Sequence, residues 1–336
     1  MVAAAWLLVI IVLPSAWTKA RVADQPSALQ VGLQRSPPSN SNSSSSDMAD
    51  AATLILAYLD RHSAEMKAAI KQAPPPFAYP WSGLEDYVAS RDDKSLPLLG
   101  YGSLVSKESA SRHFSRDTVE RGEVVIAFGA QRIFNYDSKH CRHLTNKQLG
   151  LPPTKEELVF PFSYDLPCSP YSTAMLNVLQ KPITAPPISL PVSTTPHTLP
   201  IVSGAVYPLK AADIEGLRTR EVGYSLLPVA YVEWEGLMDG ALTAKFKVAF
   251  VCALPEASSC RVEAGYYPLP DYLSLCRDAQ KSMGPLFEDL FDMTTLLADG
   301  KITAADWRIQ RQKQSFLTSD HGDGCPADVQ GVRPAT

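Results

Sequence analysis

The feature that most constrains the fold is an apolar run that leads directly into two closely spaced glycines, Leu98-Leu99-Gly100-Tyr101-Gly102-Ser103-Leu104. The run predicts a short buried strand over Pro97–Tyr101, and the glycines permit a sharp turn at its end. Such a strand end leaves backbone N–H groups unpaired, and these donors suit a carboxylate or a developing oxyanion. The alternative interpretation is a buried strand with a simple glycine turn and no binding role.

The composition is that of a folded chain with one sizeable core. Of 336 residues, 45% are hydrophobic and 20% are charged, and the formal net charge of −4 supplies no basic field for nucleic acid. The 28 prolines against 18 glycines indicate long, stiff, irregular connections. The six cysteines include no CxxC pair, which argues against a zinc cluster and leaves disulfide bonding undecided.

The first 46 residues are predicted to lie outside the folded domain. Val2–Leu13 is apolar but too short to span a bilayer comfortably, and small residues follow it, so a signal peptide is expected. Residues 21–46 are rich in Ser, Asn and Pro, which is typical of a disordered or transit-like segment. We therefore expect the secretory pathway or an organelle and no stable membrane span. Translation from Met48 would instead give a cytoplasmic protein.

Hydrophobic periodicity outlines the elements that follow. A helical extension over 47–95 is predicted from apolar residues at helical spacing between Met48 and Ile70, ending at three prolines. The predicted strands are Glu123–Phe128 continuing through Asn135, Ala174–Leu179, Ile201–Tyr207, Leu226–Trp234 and Lys245–Ala253. The predicted helices are Ser106–Phe114, Lys210–Arg220, Pro268–Ser282 and Leu286–Leu297. Proline-rich insertions are expected at Gln148–Tyr171 and Pro182–Pro200, and a disordered tail at 316–336.

A second cluster of chemically active residues lies in a basic segment. His140, Cys141 and His143 are metal-ligating residue types close together in sequence. A metal-dependent hydrolase built on them is one hypothesis. The segment has no evident fourth ligand, so no metal site and no cofactor are predicted.

Four separated segments occur in an order that resembles a known family. They are Gly100–Leu104, Met175–Val178, Gly204–Tyr207 and Arg220–Tyr224. The chain is similar to the γ-glutamylcyclotransferase-like family, in which a Y-G-S-x-L loop precedes a G-x-x-Y strand and an R-E-x-x-Y segment. The segment around Tyr272 also resembles the proline-flanked tyrosine that enters the substrate site in several members. The likeness runs from about Leu96 to Thr295.

The resemblance implies a fold, a reaction and a set of site residues. The fold is α+β, a small closed mixed β-barrel with flanking helices, here expected over 96–315 with the two insertions. The reaction releases 5-oxoproline and a free amine from a γ-glutamyl amino acid, amine or peptide, without metal or cofactor. Glu221 is the implied general acid/base. The implied substrate contacts are Tyr101, Gly102, Ser103, Leu104 and Tyr272.

Some features depart from the family or favour other interpretations. Ser106-Lys107-Glu108 stands where glutathione-specific relatives carry a tryptophan and a proline, which argues against glutathione. Glu221 can also be interpreted as a surface glutamate paired with Arg218 or Arg220. A non-catalytic ligand-binding module of the same fold is therefore the alternative function. The sequence leaves the oligomeric state open.

Overall fold

A computed structural model describes residues 44–137, 172–183, 199–239, 244–262 and 265–310. Residues 1–43 of the predicted signal or transit-like segment, the first insertion, most of the second and the C-terminal tail lie outside these residues, whereas residues 44–46, predicted to be disordered, begin the first helix. His140, Cys141 and His143, on which the metal hypothesis depends, also lie outside the described residues.

Five strands form a closed barrel in the order β1, β5, β2, β6, β7. Their bounds are β1 Leu96–Gly100, β2 Glu123–Phe128, β5 Ile201–Leu209, β6 Ser225–Glu233 and β7 Lys247–Ala253. Neighbouring strands are antiparallel except β1 and β7, whose parallel pairing closes the barrel. The prediction of an α+β chain with a closed mixed barrel and flanking helices is thus confirmed.

A glycine permits the close approach of β1 and β5 at the end of the barrel that carries the glycine loop. Gly100 pairs with Ala205 in the antiparallel register. A Cβ atom at Gly204 would lie 2.2 Å from the Gly100 carbonyl oxygen, so no larger residue fits there without moving the backbone. Gly204 therefore lets β5 pass closely over the end of β1.

A second sheet stands beside the barrel in the order β8, β4, β3, β9. Its strands are β3 Ala130–Tyr136, β4 Ser172–Gln180, β8 Tyr266–Pro268 and β9 Leu296–Leu297. The predicted continuation of one strand through Asn135 is wrong: at Gly129, φ is +74° and the chain passes from the barrel strand β2 into β3 of the other sheet. Periodicity alone cannot reveal this change of sheet.

Buried asparagines join the second sheet to the barrel. Asn177 on β4 donates from Nδ2 to Asn135 Oδ1 on β3 at 2.9 Å, and its own Oδ1 accepts from the Leu254 N–H at 2.9 Å. Leu254 directly follows β7. The two side-chain amides hydrogen-bond to each other, and Asn177 also accepts from a backbone N–H. These bonds hold the two sheets in a fixed position relative to each other, and they offset the cost of burying the amides.

Helices flank the barrel. In the described part of the chain they are α1 Ser44–Gln72, α2 Leu84–Ser90, α3 Lys107–Ser111, α4 Arg116–Glu120, α5 Ile214–Arg220, α6 Trp234–Met238, α7 Pro270–Lys281 and α8 Pro285–Thr294, and residues 304–310 are helical. In α1, Ile55, Leu59 and Met66 are buried in one cluster with side chains of β2 and β6. The N-terminal helix therefore packs on the barrel core.

Several predicted elements end earlier than expected, among them the helix predicted over Ser106–Phe114, which ends at Ser111. The helix predicted over Leu286–Leu297 ends at Thr294, and Leu296–Leu297 instead pairs in parallel with β3. The strand predicted over Leu226–Trp234 ends at Glu233, and Trp234 begins α6. A short apolar run fits the helical period and the strand period equally well, so the sequence does not locate the ends at Thr294 and Glu233. Tertiary contacts locate them. Across the described residues, no helix has both the length and the apolar character needed to cross a membrane.

Candidate active site

The glycine loop leaves β1 at Gly100 and enters a single 3-10 turn, Ser103–Val105. The Tyr101 hydroxyl donates to the Cys252 carbonyl on β7 at 2.9 Å, and the Tyr207 hydroxyl on β5 donates to the Leu104 carbonyl at 2.9 Å. Tyr101, Ser103 and Leu104 are all buried. The loop is therefore anchored to two barrel strands, one on each side of it.

Glu221 lies at the C-terminal end of α5. Its N–H donates to the Leu217 carbonyl at 2.8 Å, and its own carbonyl accepts from the Tyr224 N–H at 3.3 Å. Gly223 has a φ of +83°, a conformation that glycine adopts without penalty and that returns the chain into β6. The Glu221 side chain is only 14% exposed. The side chain for which a surface position was the alternative interpretation is thus mostly enclosed.

Arg220 connects this carboxylate to the glycine loop. Its Nε donates to Glu221 Oε1 at 2.8 Å, and its Nη2 donates to Ser103 Oγ at 2.6 Å. Nη1 makes a longer contact of 3.3 Å with Ser109 Oγ on α3. A planar guanidinium can hold these acceptors in fixed directions, which a flexible ammonium cannot do. Of the two arginines considered as partners of Glu221, Arg220 pairs with it, whereas Arg218 pairs with Glu85 and Glu215.

Buried tyrosines lie near the carboxylate. Burial raises the pKa of Tyr101, Tyr224 and Tyr272 well above the usual value, and the nearby charge of Glu221 raises the pKa of each further. The Tyr224 hydroxyl donates to the Leu176 carbonyl on β4 at 2.7 Å. Because these phenols stay protonated at neutral pH, they act as neutral hydrogen-bonding groups.

One face of α7 covers the loop. Tyr272, Cys276 and Gln280 are spaced four residues apart and so point to the same side of the helix. A Cβ atom placed at Gly102 would lie 3.5 Å from the Tyr272 hydroxyl and 3.6 Å from Cys276 Sγ, and Gln280 Nε2 donates to the Tyr101 carbonyl at 3.3 Å. Three successive turns of α7 therefore line the loop.

The free thiols at this site are not activated. Burial raises the pKa of Cys276 to about 12, against opposing effects of Tyr272, Arg132, Arg220 and the Ser103 N–H. Burial also raises the pKa of Cys252 well above its usual value, and Glu221 adds to the increase. Neither side chain is a thiolate near neutral pH, so neither has the character of a nucleophile. Cys260, by contrast, is disulfide-bonded.

The structure brings the predicted site residues to one place. Ser103 and Glu221 share the Arg220 guanidinium, and Tyr101 and Tyr272 are close enough to Glu221 to respond to its charge. The sequence interpretation missed Arg220 as the link, and it missed Cys276 and Gln280. The spacing of four from Tyr272 was the available signal for the last two.

Metal ligation has no support in the described residues, which contain no group of three or more His, Cys, Asp or Glu side chains suited to hold an ion. A shallow pocket of about 210 Å³ lies elsewhere, where the end of α1 and Tyr87 and Arg91 meet β1 and β7. Its lining includes none of the predicted site residues.

Comparisons of the chain with protein-family models, with curated proteins and with solved structures found no match. The chemistry of the site therefore follows from the groups it contains, which are one carboxylate, one guanidinium, several neutral hydroxyls and a loop of backbone amides. This set can bind an anionic group and move a proton.

Proposed function

We propose that the chain is a γ-glutamyl cyclotransferase of the γ-glutamylcyclotransferase-like fold. The observation that carries the proposal is the double hydrogen bonding of Arg220 to Glu221 and to Ser103 of the glycine loop. It places a carboxylate beside the loop to which the family resemblance assigns γ-glutamyl binding. The closed mixed barrel and the position of Tyr272 over Gly102 also support it.

The reaction needs one proton shuttle. The substrate α-amine is an ammonium at neutral pH, so the Glu221 carboxylate takes one proton from it. The free amine nitrogen attacks the γ-carbonyl carbon, and a new C–N bond closes the five-membered ring. As the tetrahedral intermediate collapses, the bond to the leaving amine breaks and Glu221 returns the proton to that amine. The ring nitrogen gives up its second proton through the same carboxylate, so the ring closes as a lactam and the amine leaves as an ammonium. No water is consumed.

The loop would stabilise the charge that develops on the γ-carbonyl oxygen. The first N–H groups of a helical turn have no partner within the turn, and Gly102 and Leu104 lie at the start of the 3-10 turn, whereas the Ser103 N–H between them already interacts with Cys276. Such donors are worth roughly 3–4 kcal/mol each where they contact an oxyanion. The remaining requirement is to hold the substrate curled, because attack is intramolecular.

One observation favours the alternative, a non-catalytic binding module. Glu221 is paired with Arg220 at 2.8 Å, an arrangement also expected of a carboxylate with a structural or binding role. In this function the site binds a carboxylate-containing ligand through Arg220 and the loop but turns nothing over. The two functions differ in product formation alone.

The test is incubation of the purified chain with a panel of γ-glutamyl amino acids, amines and peptides in ¹⁸O-labelled water. We expect unlabelled 5-oxoproline and the free amine, detected by mass spectrometry above a no-enzyme control. Labelled glutamate would show hydrolysis, and no product from any compound would favour the binding module. A chelator is expected to leave the rate unchanged, because the mechanism contains no Lewis acid.

A further inference from the structure

A buried cation lies directly behind the glycine loop. Arg132, in the middle of β3, has no solvent exposure. Its Nη1 donates to the Ser203 carbonyl at 3.1 Å and to the Tyr101 carbonyl at 3.4 Å, and its Nη2 donates to Ser203 Oγ and Thr294 Oγ1, each at 3.1 Å. The guanidinium carbon lies 4.6 Å from the centre of the Phe291 ring.

The positive charge of Arg132 has no paired carboxylate among the residues the structure describes. Its hydrogen-bond acceptors there are neutral, and its Nε has no partner among them. Asp292 acts on it only through space and is itself paired with Arg277 and Arg308. Burial lowers the pKa of Arg132 to about 9, which reflects the cost of keeping the charge there. An apolar residue would serve core stability better.

Gln280 extends this network to the same loop carbonyl. Its Nε2 donates to the Tyr101 carbonyl at 3.3 Å and to the Ser203 carbonyl at 3.4 Å, while its Oε1 accepts from Ser203 Oγ at 2.9 Å. Arg132 and Gln280 therefore approach one oxygen, that of Tyr101, from β3 and from α7. Side chains from two elements fix the first peptide group of the loop.

The Tyr101–Gly102 peptide group carries the influence of Arg132 and Gln280 from its carbonyl to its own N–H. The bond between Tyr101 and Gly102 is trans, so its N–H points opposite to its C=O. A carbonyl held by a cation also polarises the N–H of the same peptide unit and makes it a stronger donor. We infer that Arg132 and Gln280 are positioning residues that orient and polarise the Gly102 N–H as a donor to the substrate anion or oxyanion. The inference rests on the proposed function for its effect on turnover.

The decisive variant is Gln280→Glu. The new carboxylate supplies Arg132 with a counterion and still accepts from Ser203, so the melting temperature should be unchanged or higher. It no longer donates to the Tyr101 carbonyl, and it draws the guanidinium away from it. We expect kcat to fall roughly ten- to hundred-fold, the size of effect that follows a small misplacement of a reacting group. We also expect faster amide exchange in the Leu98–Leu104 peptide.

Thr294→Val is the matched control. It removes a different acceptor of the same guanidinium without touching the loop carbonyl, so it should lower the melting temperature and leave kcat within about threefold of wild type. If Gln280→Glu does not fold, Gln280→Met is measured in the same way and is expected to show the same kcat loss and exchange.

Different results would contradict the inference and the proposed function. Unchanged kcat and unchanged exchange in Gln280→Glu would overturn the inference, as would an equal kcat loss in Thr294→Val. If the wild-type chain forms no 5-oxoproline, the proposed function fails. The exchange comparison still decides whether Arg132 and Gln280 hold the loop.

Discussion

Arg220 and Ser103 lie 117 positions apart in the chain, yet Arg220 Nη2 donates to Ser103 Oγ at 2.6 Å while Nε of the same guanidinium holds Glu221. The bond joins the end of α5 to the loop that follows β1. The distance between the carboxylate and the loop therefore depends on one side chain with a fixed shape.

Arg220→Lys tests this dependence. Lysine keeps the charge but cannot hold two acceptors in fixed directions, so we expect kcat/KM to fall by roughly tenfold or more while the fold is retained. Arg218→Lys is the control, because Arg218 lies on the same helix and pairs with Glu85 and Glu215 instead. Steady-state kinetics and circular dichroism provide the measurements. Equal kinetics for the two variants would show that Arg220 contributes only its charge.

Gly204→Ala is expected to destabilise the barrel. The new Cβ atom would lie 2.2 Å from the Gly100 carbonyl oxygen, and relieving that contact requires movement of β1 against β5. We expect the free energy of unfolding to fall by about 3 kcal/mol, at the upper end for overpacking. Gly236→Ala on α6 is the control, since its Cβ atom would make an ordinary 3.5 Å contact with Ala244. Denaturant titration should show little change or a gain of up to about 1 kcal/mol for the control. Similar losses for both variants would contradict the packing of β1 on β5.

Alkaline pH should destabilise the fold, because buried tyrosines hold their protons more tightly in the native state. Burial raises the pKa of Tyr58, Tyr207 and Tyr231 from 10.0 to about 12. The unfolded chain loses these protons first, so between about pH 10 and 12 the native state binds more protons and stability falls as pH rises. Denaturant unfolding at several pH values measures the slope. Tyr231→Phe should make it shallower, and a flat profile would contradict these shifts.

The sequence was sufficient to predict much of the barrel. Leu96–Gly100, Ile201–Leu209 and Lys247–Ala253 are strands close to the predicted bounds, since uninterrupted apolar runs between turn signals leave few alternatives. The division into two sheets at Gly129 was not predictable, because local periodicity is the same in both. Leu296–Leu297 is too short to carry a strand signal of its own, and only its pairing with β3 defines it.

For the site, the family resemblance indicated Ser103 and Glu221 but not the side chain that connects them. These residues belong to the Y-G-S-x-L and R-E-x-x-Y motifs, whereas the contact of Arg220 with Ser103 depends on how α5 packs against the loop. Arg132 was the least predictable, because an arginine in a strand is ordinarily placed at the surface. Its complete burial results from the contact between the second sheet, β5 and α8.

The central claim is that Glu221 moves the proton, and Glu221→Gln tests it most directly. Glutamine keeps the size and can still accept from Arg220 but cannot act as a base. Glu215→Gln and Glu233→Gln are the controls, since both carboxylates are more exposed and are paired with Arg218 and Lys247.

The measurement is the initial rate of 5-oxoproline formation from the best γ-glutamyl compound of the panel, for wild type and the three variants. The account predicts a roughly 10²–10⁴-fold loss for Glu221→Gln, with substrate binding retained and the fold intact by circular dichroism. Both controls should keep the wild-type rate. A Glu221→Gln rate above about a tenth of wild type would contradict the assignment of Glu221 as the acid/base.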